Sequence, residues 1–372
     1  MSSSVDISFS SVYLIRALAI SGIIVENYHN ALWWNNVGSI LDLFTSIVAA
    51  VGGTLVHIFF VLSGYGLTLS CLKKNTVCWT SWVRERFRKI IVPFWIAVAV
   101  TFIIANFSYV SAPVTGQHVY SVTTLLAYLT FLRNFYEPGW TLNPSFWFMP
   151  PIIGLYVLFP LLLLVLKRIG ITGLFVFSLL AANASIAACV YFGCISDYHQ
   201  GALPLYFIDE FAVGMMLAYV VYRQPHQFQR FTAPRFFLLG IVLYTLSAVI
   251  SRYSVLGPGS SAYNDIFEAT GLILVLLFTC RWMSETFSPG VLKFLENMSR
   301  RSYVMYLIHW PLIVYGLKPY IWTYFGIHMG PLAMLFSSSI FVLLTFFFAL
   351  CISLMIERFR LAPKPAFIAP SQ

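Results

Sequence analysis

The chain has 372 residues, 59% of them hydrophobic and only 9% charged. Soluble domains carry about 25% charged residues, so a soluble fold is excluded and lipid is the solvent for most of this chain. The net charge of +9 comes without an Arg-rich tail or an RNA-binding signature, which leaves membrane topology as its explanation and excludes nucleic acid as a partner.

The six cysteines contain no CxxC pair and lie in or beside apolar runs. They read as small lipid-compatible residues, with no metal site expected; Cys189 and Cys194, near the outer face, are the one pair that could form a disulfide, which is not the favoured reading. The first apolar run contains Arg16 and Glu26 and lacks a basic leader. It is expected to be a retained helix rather than a cleaved signal peptide.

Runs of about 20 apolar residues can span a bilayer. Ten are found, at 11–31, 45–72, 90–108, 145–166, 170–193, 203–222, 235–251, 263–280, 302–323 and 332–356. The connections are short except for 109–144, a polar segment with one apolar stretch from Leu125 to Leu132. No internal repeat is visible, so an inverted-repeat transporter gains no support. With the N-terminus inside, 18 of the 22 Lys and Arg fall on inner loops or the inner C-terminus. Arg133, Arg252 and Lys318 are outer, and Arg16 lies in the first span. This asymmetry predicts an all-α integral membrane protein, one domain over 1–372, with about ten transmembrane helices and both termini cytoplasmic.

Ionisable groups within spans are costly and face a cavity or a partner. The first span carries Arg16, Glu26 and His29, with Arg16 and His29 about 20 Å apart along the axis. The second holds His57, and its Ser63-Gly64 pair suits close helix packing. An inner basic segment follows, Arg84, Arg86, Arg88 and Lys89 before Pro93. It serves topology and also offers an anion patch, because the guanidinium fork matches phosphate. The fourth span opens on Ser145-Phe-Trp147 and continues to Tyr156 and Pro160. The ninth carries Tyr303, Tyr306, His309 and Trp310, of which Tyr303, Tyr306 and Trp310 share a helix face.

These segments together resemble the membrane-bound acyltransferase-3 family. The likeness rests on Arg16, on Phe59-Phe60-Val61-Leu62-Ser63-Gly64-Tyr65, and on the Arg-rich loop before Pro93. Phe146-Trp147-Phe148 with Tyr156 and Pro160, and Ser302-Tyr303 through Tyr306-Leu307-Ile308-His309, complete it. The resemblance implies an enzyme that moves an acyl group, commonly acetyl, from cytoplasmic acyl-CoA to a hydroxyl of a glycan, sugar or lipid-linked acceptor, in a bacterial inner membrane and without a metal. Family members place a catalytic His eleven positions after the first-helix Arg. Here that position is Asn27, and His29 stands two further on. Asn27-Tyr28 is similar to the Asn-Tyr of the distantly related lysosomal heparan acetyltransferases. The expected catalytic set is therefore His29 as base, with Asn27, Arg16 and Glu26 around it. Arg84, Arg86, Arg88, Lys89, Ser63 and Arg301 are expected to hold CoA, and His57, Trp147, Tyr156, Tyr303 and His309 the acceptor. The rival readings are a transporter or flippase, or a non-catalytic membrane sensor of the same fold.

Overall fold

In lipid, a backbone must satisfy its own hydrogen bonds, and an apolar chain without strand alternation does so as helices. The computed structural model bears this out: no strand occurs among the described residues, which are 3–32, 40–74, 79–111, 120–135, 142–192, 203–252, 260–318 and 331–361. The elements are α1 (Ser3–Leu32), α2 (Ile40–Lys73), α3 (Trp79–Arg86), α4 (Val92–Ser111), α5 (Val122–Leu129) and α6 (Met149–Tyr191). They continue with α7 (Ile208–Arg223), α8 (Pro225–Arg230), α9 (Pro234–Arg252), α10 (Ser260–Thr286), α11 (Pro289–Arg300), α12 (Ser302–Pro311) and α13 (Pro331–Leu361).

Every expected span overlaps one of these helices. By length and apolarity six stretches qualify as able to cross a membrane: Val51–Lys73, Trp79–Phe107, Pro144–Tyr191, Pro204–Arg223, Asp265–Thr286 and Leu332–Arg358. Two shorter apolar helices, Pro234–Ile250 and Ser302–Leu317, accompany them. The 48-residue stretch breaks at Gly170, whose φ of 81° leaves the right-handed region. This break separates the two runs expected at 145–166 and 170–193, and only glycine takes such a φ without penalty. The protein is thus an all-helical, multi-pass membrane protein. Both termini, Met1 and Gln372, lie outside the described residues, as do Cys78 and Cys194. Among the described residues Cys71, Cys280 and Cys351 are free thiols, and Cys189 is buried.

Two features were not expected. The apolar stretch near Leu125 becomes α5, whose N-cap Ser121 accepts from the Thr124 backbone N–H. Helix α11 is an amphipathic element, with Val291 and Phe294 exposed, Met298 buried and Arg300 paired to Glu296 at 2.6 Å. Interfacial helices have this pattern.

Prolines reshape two helices beside the interior. Pro93 has no N–H to give, and the preceding turn, Phe87–Ile91, widens to a π-helix. The Tyr303 hydroxyl then donates to the Ile90 carbonyl at 2.7 Å. Pro311 is followed in the same way by a π-helix over Leu312–Leu317.

Helices α1 and α2 pack together, and α2 packs in turn on α7. The α2–α7 crossing brings backbone against backbone. A Cβ on Gly64 would strike the Phe211 carbonyl, and one on Gly214 the Val61 carbonyl. Small residues permit such approach in membranes, where van der Waals packing replaces hydrophobic association. Gly64→Ala is therefore expected to destabilise the protein by about 1–3 kcal/mol, the usual cost of overpacking. Gly66→Ala, with no atom within 4 Å of the added methyl, serves as control. Thermal melting of the two variants in detergent checks this; equal melting temperatures would refute a tight crossing.

Candidate functional site

A cavity of about 730 Å³ lies between α1, α2, the α3 segment, the start of α6 and α12. Arg16, Glu26, Asn27 and Asn30 line it from α1, Ser63 from α2, and Arg86 and Lys89 from the basic segment. Ser145, Trp147, Tyr156, Tyr303, Tyr306 and Trp310 complete the polar and aromatic wall. From Arg16 to Asn30 the wall extends about 21 Å along α1. One end is basic and the other carries a carboxylate among amides.

At the amide end, Glu26 is held by its own helix. Asn27 Nδ2 donates to one carboxylate oxygen at 3.0 Å and Asn30 Nδ2 to the other at 2.7 Å. Gly53 on α2 makes the space: a Cβ there would sit 3.3 Å from Glu26 Oε1. The second proton of Asn27 Nδ2 goes to the Ile23 carbonyl at 2.9 Å. Both amide protons of Asn27 are thus committed, so the residue orients Glu26 rather than facing a substrate oxygen as a free donor.

Ser145 links this group to α12. Its hydroxyl lies 3.2 Å from Asn27 Oδ1 and 3.3 Å from His309 Nε2. His309 Nδ1 is 2.7 Å from the Tyr306 carbonyl, which only accepts, so Nδ1 carries the proton and Nε2 a lone pair. The single Ser145 proton serves either Asn27 or His309. Tyr306 adds a bond from its hydroxyl to the Ser145 carbonyl at 2.8 Å. His309, fully buried, is not on the cavity wall and acts through Ser145. Trp310 presents a buried indole N–H with no partner among the described residues, a spare donor in the wall.

At the basic end the four cations separate. Half-buried Arg86 and the exposed Lys89 line the cavity, whereas Arg84 and Arg88, also exposed, do not. The Arg86 guanidinium lies 5.9 Å from the Trp82 ring centre, and its buried Nε has no partner among the described residues. Lys89 is shared with Glu85 at 2.5 Å. Arg301 also stays off the wall and bonds the Asn297 carbonyl at 3.0 Å. Arg16 lines the wall about 15 Å along α1 from Glu26, and no carboxylate pairs with it among the described residues. Ser63 accepts from the Tyr156 hydroxyl at 3.5 Å. Tyr303 and Tyr306 stack with centres 6.3 Å apart.

The cavity therefore gathers Arg16, Glu26, Asn27, Ser63, Arg86, Lys89, Trp147, Tyr156 and Tyr303 from the expected set. His29 is buried and does not line it; it follows Glu26 by three residues, about 300° around the helix, and faces its neighbours instead. His57 is also off the wall, 2.7 Å from Glu210 on α7. Sequence reading missed Ser145 and Asn30 as wall residues, whereas the helix face shared by Tyr303, Tyr306 and Trp310 does line the cavity. Asn30 was findable, since it stands one turn after Glu26. Ser145 was not, because its partners are 118 and 164 positions away.

Comparison with curated proteins and with solved structures finds no match. Residues 9–358 match an acyltransferase-domain family model, nearly the whole chain and all of the cavity-lining residues. An elongated, helix-lined cavity with cations at one end and a proton acceptor at the other is consistent with that match, and the chain belongs to the acyltransferase-3 family.

Proposed function

We propose that this protein transfers an acyl group, in the simplest case acetyl, from cytoplasmic acyl-CoA to a hydroxyl of a glycan, sugar or lipid-linked acceptor at or across a bacterial inner membrane, with both termini cytoplasmic. The observation that carries the reading is that Arg86, Lys89, Arg16 and Glu26 line one and the same cavity. The phosphates of CoA would meet Arg86 and Lys89, and its long flexible arm would follow the aromatic wall past Arg16. The thioester then lies near Glu26. In this reading Glu26, on the wall, takes the acceptor's hydroxyl proton. The oxygen attacks the thioester carbon, the C–S bond breaks, and CoA leaves as a thiolate that is protonated from solvent. Trp310 N–H is the donor nearest in kind to what a developing oxyanion requires. Asn27, with Ser145 and His309 behind it, holds Glu26 in position.

The test uses CoA itself and the purified chain. Arg86→Ala is expected to weaken CoA binding about tenfold or more, since a hydrogen bond to a charged group contributes about 1.5–3 kcal/mol. Arg84→Ala and Arg88→Ala, off the wall, are expected to change it little. Calorimetry checks this, and equal affinity in all three variants would reduce the basic segment to a topology signal.

A further inference from the structure

A second concentration of ionisable groups lies outside the cavity, where α2, α7 and α10 meet. His57 comes from α2, Asp209 and Glu210 from the first turn of α7, and Asp265 and Glu268 from α10. The two α10 carboxylates are three residues apart and share a helix face. One nitrogen of His57 and one oxygen each of Asp265 and Glu268 all lie within 4.8 Å of one another. His57 Nδ1 is 2.7 Å from Glu210 Oε1, and the Glu210 side chain is fully buried. Its other oxygen, Oε2, is buried with no hydrogen-bond partner among the described residues. Among those residues no Lys or Arg pairs with any of the four carboxylates.

Four carboxyl groups in an apolar interior need a counter-charge or a proton. Part of it is local. The Asp209 side chain accepts from the Glu210 backbone N–H at 2.9 Å, and both acids sit at the positive end of α7. Among the described residues, Asp265 and Glu268 have no comparable help beyond the nearby His57. The His57–Glu210 pair has the arrangement that metal-binding histidines use. A carboxylate accepts from one ring N–H, fixing the tautomer and turning the other nitrogen's lone pair outward. With Nδ1–H given to Glu210, Nε2 is the nitrogen left for a ligand. One imidazole and two carboxylates form a three-ligand set suited to Zn²⁺ or Mn²⁺, and too soft for Mg²⁺ to prefer. Tetrahedral Zn²⁺ sets its donors about 3.4 Å apart, given bonds of about 2.1 Å.

We propose that His57, Asp265 and Glu268 bind one divalent transition-metal ion of the Zn²⁺ or Mn²⁺ type, with Glu210 orienting the histidine. The ion ties α10 to α2, beside the glycine crossing of α2 with α7, and so fixes the helix that carries Gly53 against Glu26. Its role is structural, and no step of acyl transfer passes through it.

The experiment uses the full-length protein in detergent, freed of any purification tag. The protein is stripped with a chelator, reloaded separately with Zn²⁺, Mn²⁺ or Mg²⁺, and dialysed. Bound metal is then measured by mass spectrometry and stability by thermal melting. The expected result is about one Zn²⁺ or Mn²⁺ per chain, a raised melting temperature on reloading, and no retained Mg²⁺. The isosteric double variant D265N/E268Q should lose the ion and the thermal response. Glu210→Gln should bind about 10–100-fold more weakly, the usual cost of losing such an orienting partner. His226→Ala, exposed on α8 and outside the cluster, should bind as the parent does. Three outcomes overturn the proposal: no stoichiometric metal in the parent, retention unchanged in D265N/E268Q, or D265N/E268Q melting higher than the parent with no metal bound by either. The last would mean the carboxyls are simply held protonated.

Discussion

Glu26→Gln is expected to lower acyl transfer by about 10²–10⁴-fold, the usual contribution of a general base, with CoA affinity little changed. The substitution keeps the shape and some of the hydrogen bonding but removes the ability to take a proton. Asn27 and Asn30 hold the two carboxylate oxygens at 3.0 and 2.7 Å, so the group is oriented before substrate arrives. CoA affinity should hold because Glu26 lies about 15 Å along α1 from Arg16, and Arg86 and Lys89 belong to another element. Asn27→Ala is expected to be intermediate, because it releases one oxygen of Glu26 and the Ser145 contact without removing the carboxylate. His29→Ala should retain most activity, as its side chain does not line the cavity. Turnover of the three purified variants at matched protein decides the matter. If His29→Ala is inactive while Glu26→Gln is not, the base is His29 and the cavity wall misleads.

Arg16→Ala is expected to lower kcat/KM for acyl-CoA by about 30-fold to several thousand-fold. Removing one partner of a desolvated, hydrogen-bonded charge pair costs about 2–5 kcal/mol, and each 1.4 kcal/mol is tenfold. Arg16 is a cavity-lining cation about 15 Å along α1 from Glu26, and no carboxylate pairs with it among the described residues. Its charge is thus available to a ligand. Arg16→Lys should recover only part of the loss, since an ammonium lacks the planar fork. A rise in KM with kcat unchanged would assign Arg16 to uniform donor binding, whereas equal falls in kcat and kcat/KM would assign it to the transition state. Wild-type kinetics and CoA affinity in Arg16→Ala would show that the side chain only reaches for the membrane surface.

The spans were legible because lipid imposes a simple rule: about 20 apolar residues in a row. The break at Gly170, the glycine at the α2–α7 crossing and the shared face of Tyr303, Tyr306 and Trp310 were legible for similar reasons, since each is a local pattern. The division of the basic segment was not. Arg84, Arg86, Arg88 and Lys89 look equivalent in sequence, but the π-helix over Phe87–Ile91 changes the angle at which successive residues leave the axis. Arg86 and Lys89 reach the cavity wall, and Arg84 and Arg88 do not. The amphipathic α11 was passed over because its apolar residues are too few for a span.

By itself the sequence determined that this protein lives in a membrane, that its helices are connected in this order, and that α1 carries charge where lipid forbids it. Those properties follow from composition and from spacing within one helix. Only the tertiary structure decided which charges meet. Glu26 is framed by Gly53 from α2, Asn27 by Ser145 from the start of α6, and Ser145 by His309 from α12. His57 was expected beside a substrate and instead joins Glu210, Asp265 and Glu268, the first of them 153 positions away. Helix rotation about its own axis is set by packing against neighbours far along the chain, and that rotation alone selects whether a polar residue faces a cavity, a partner or lipid.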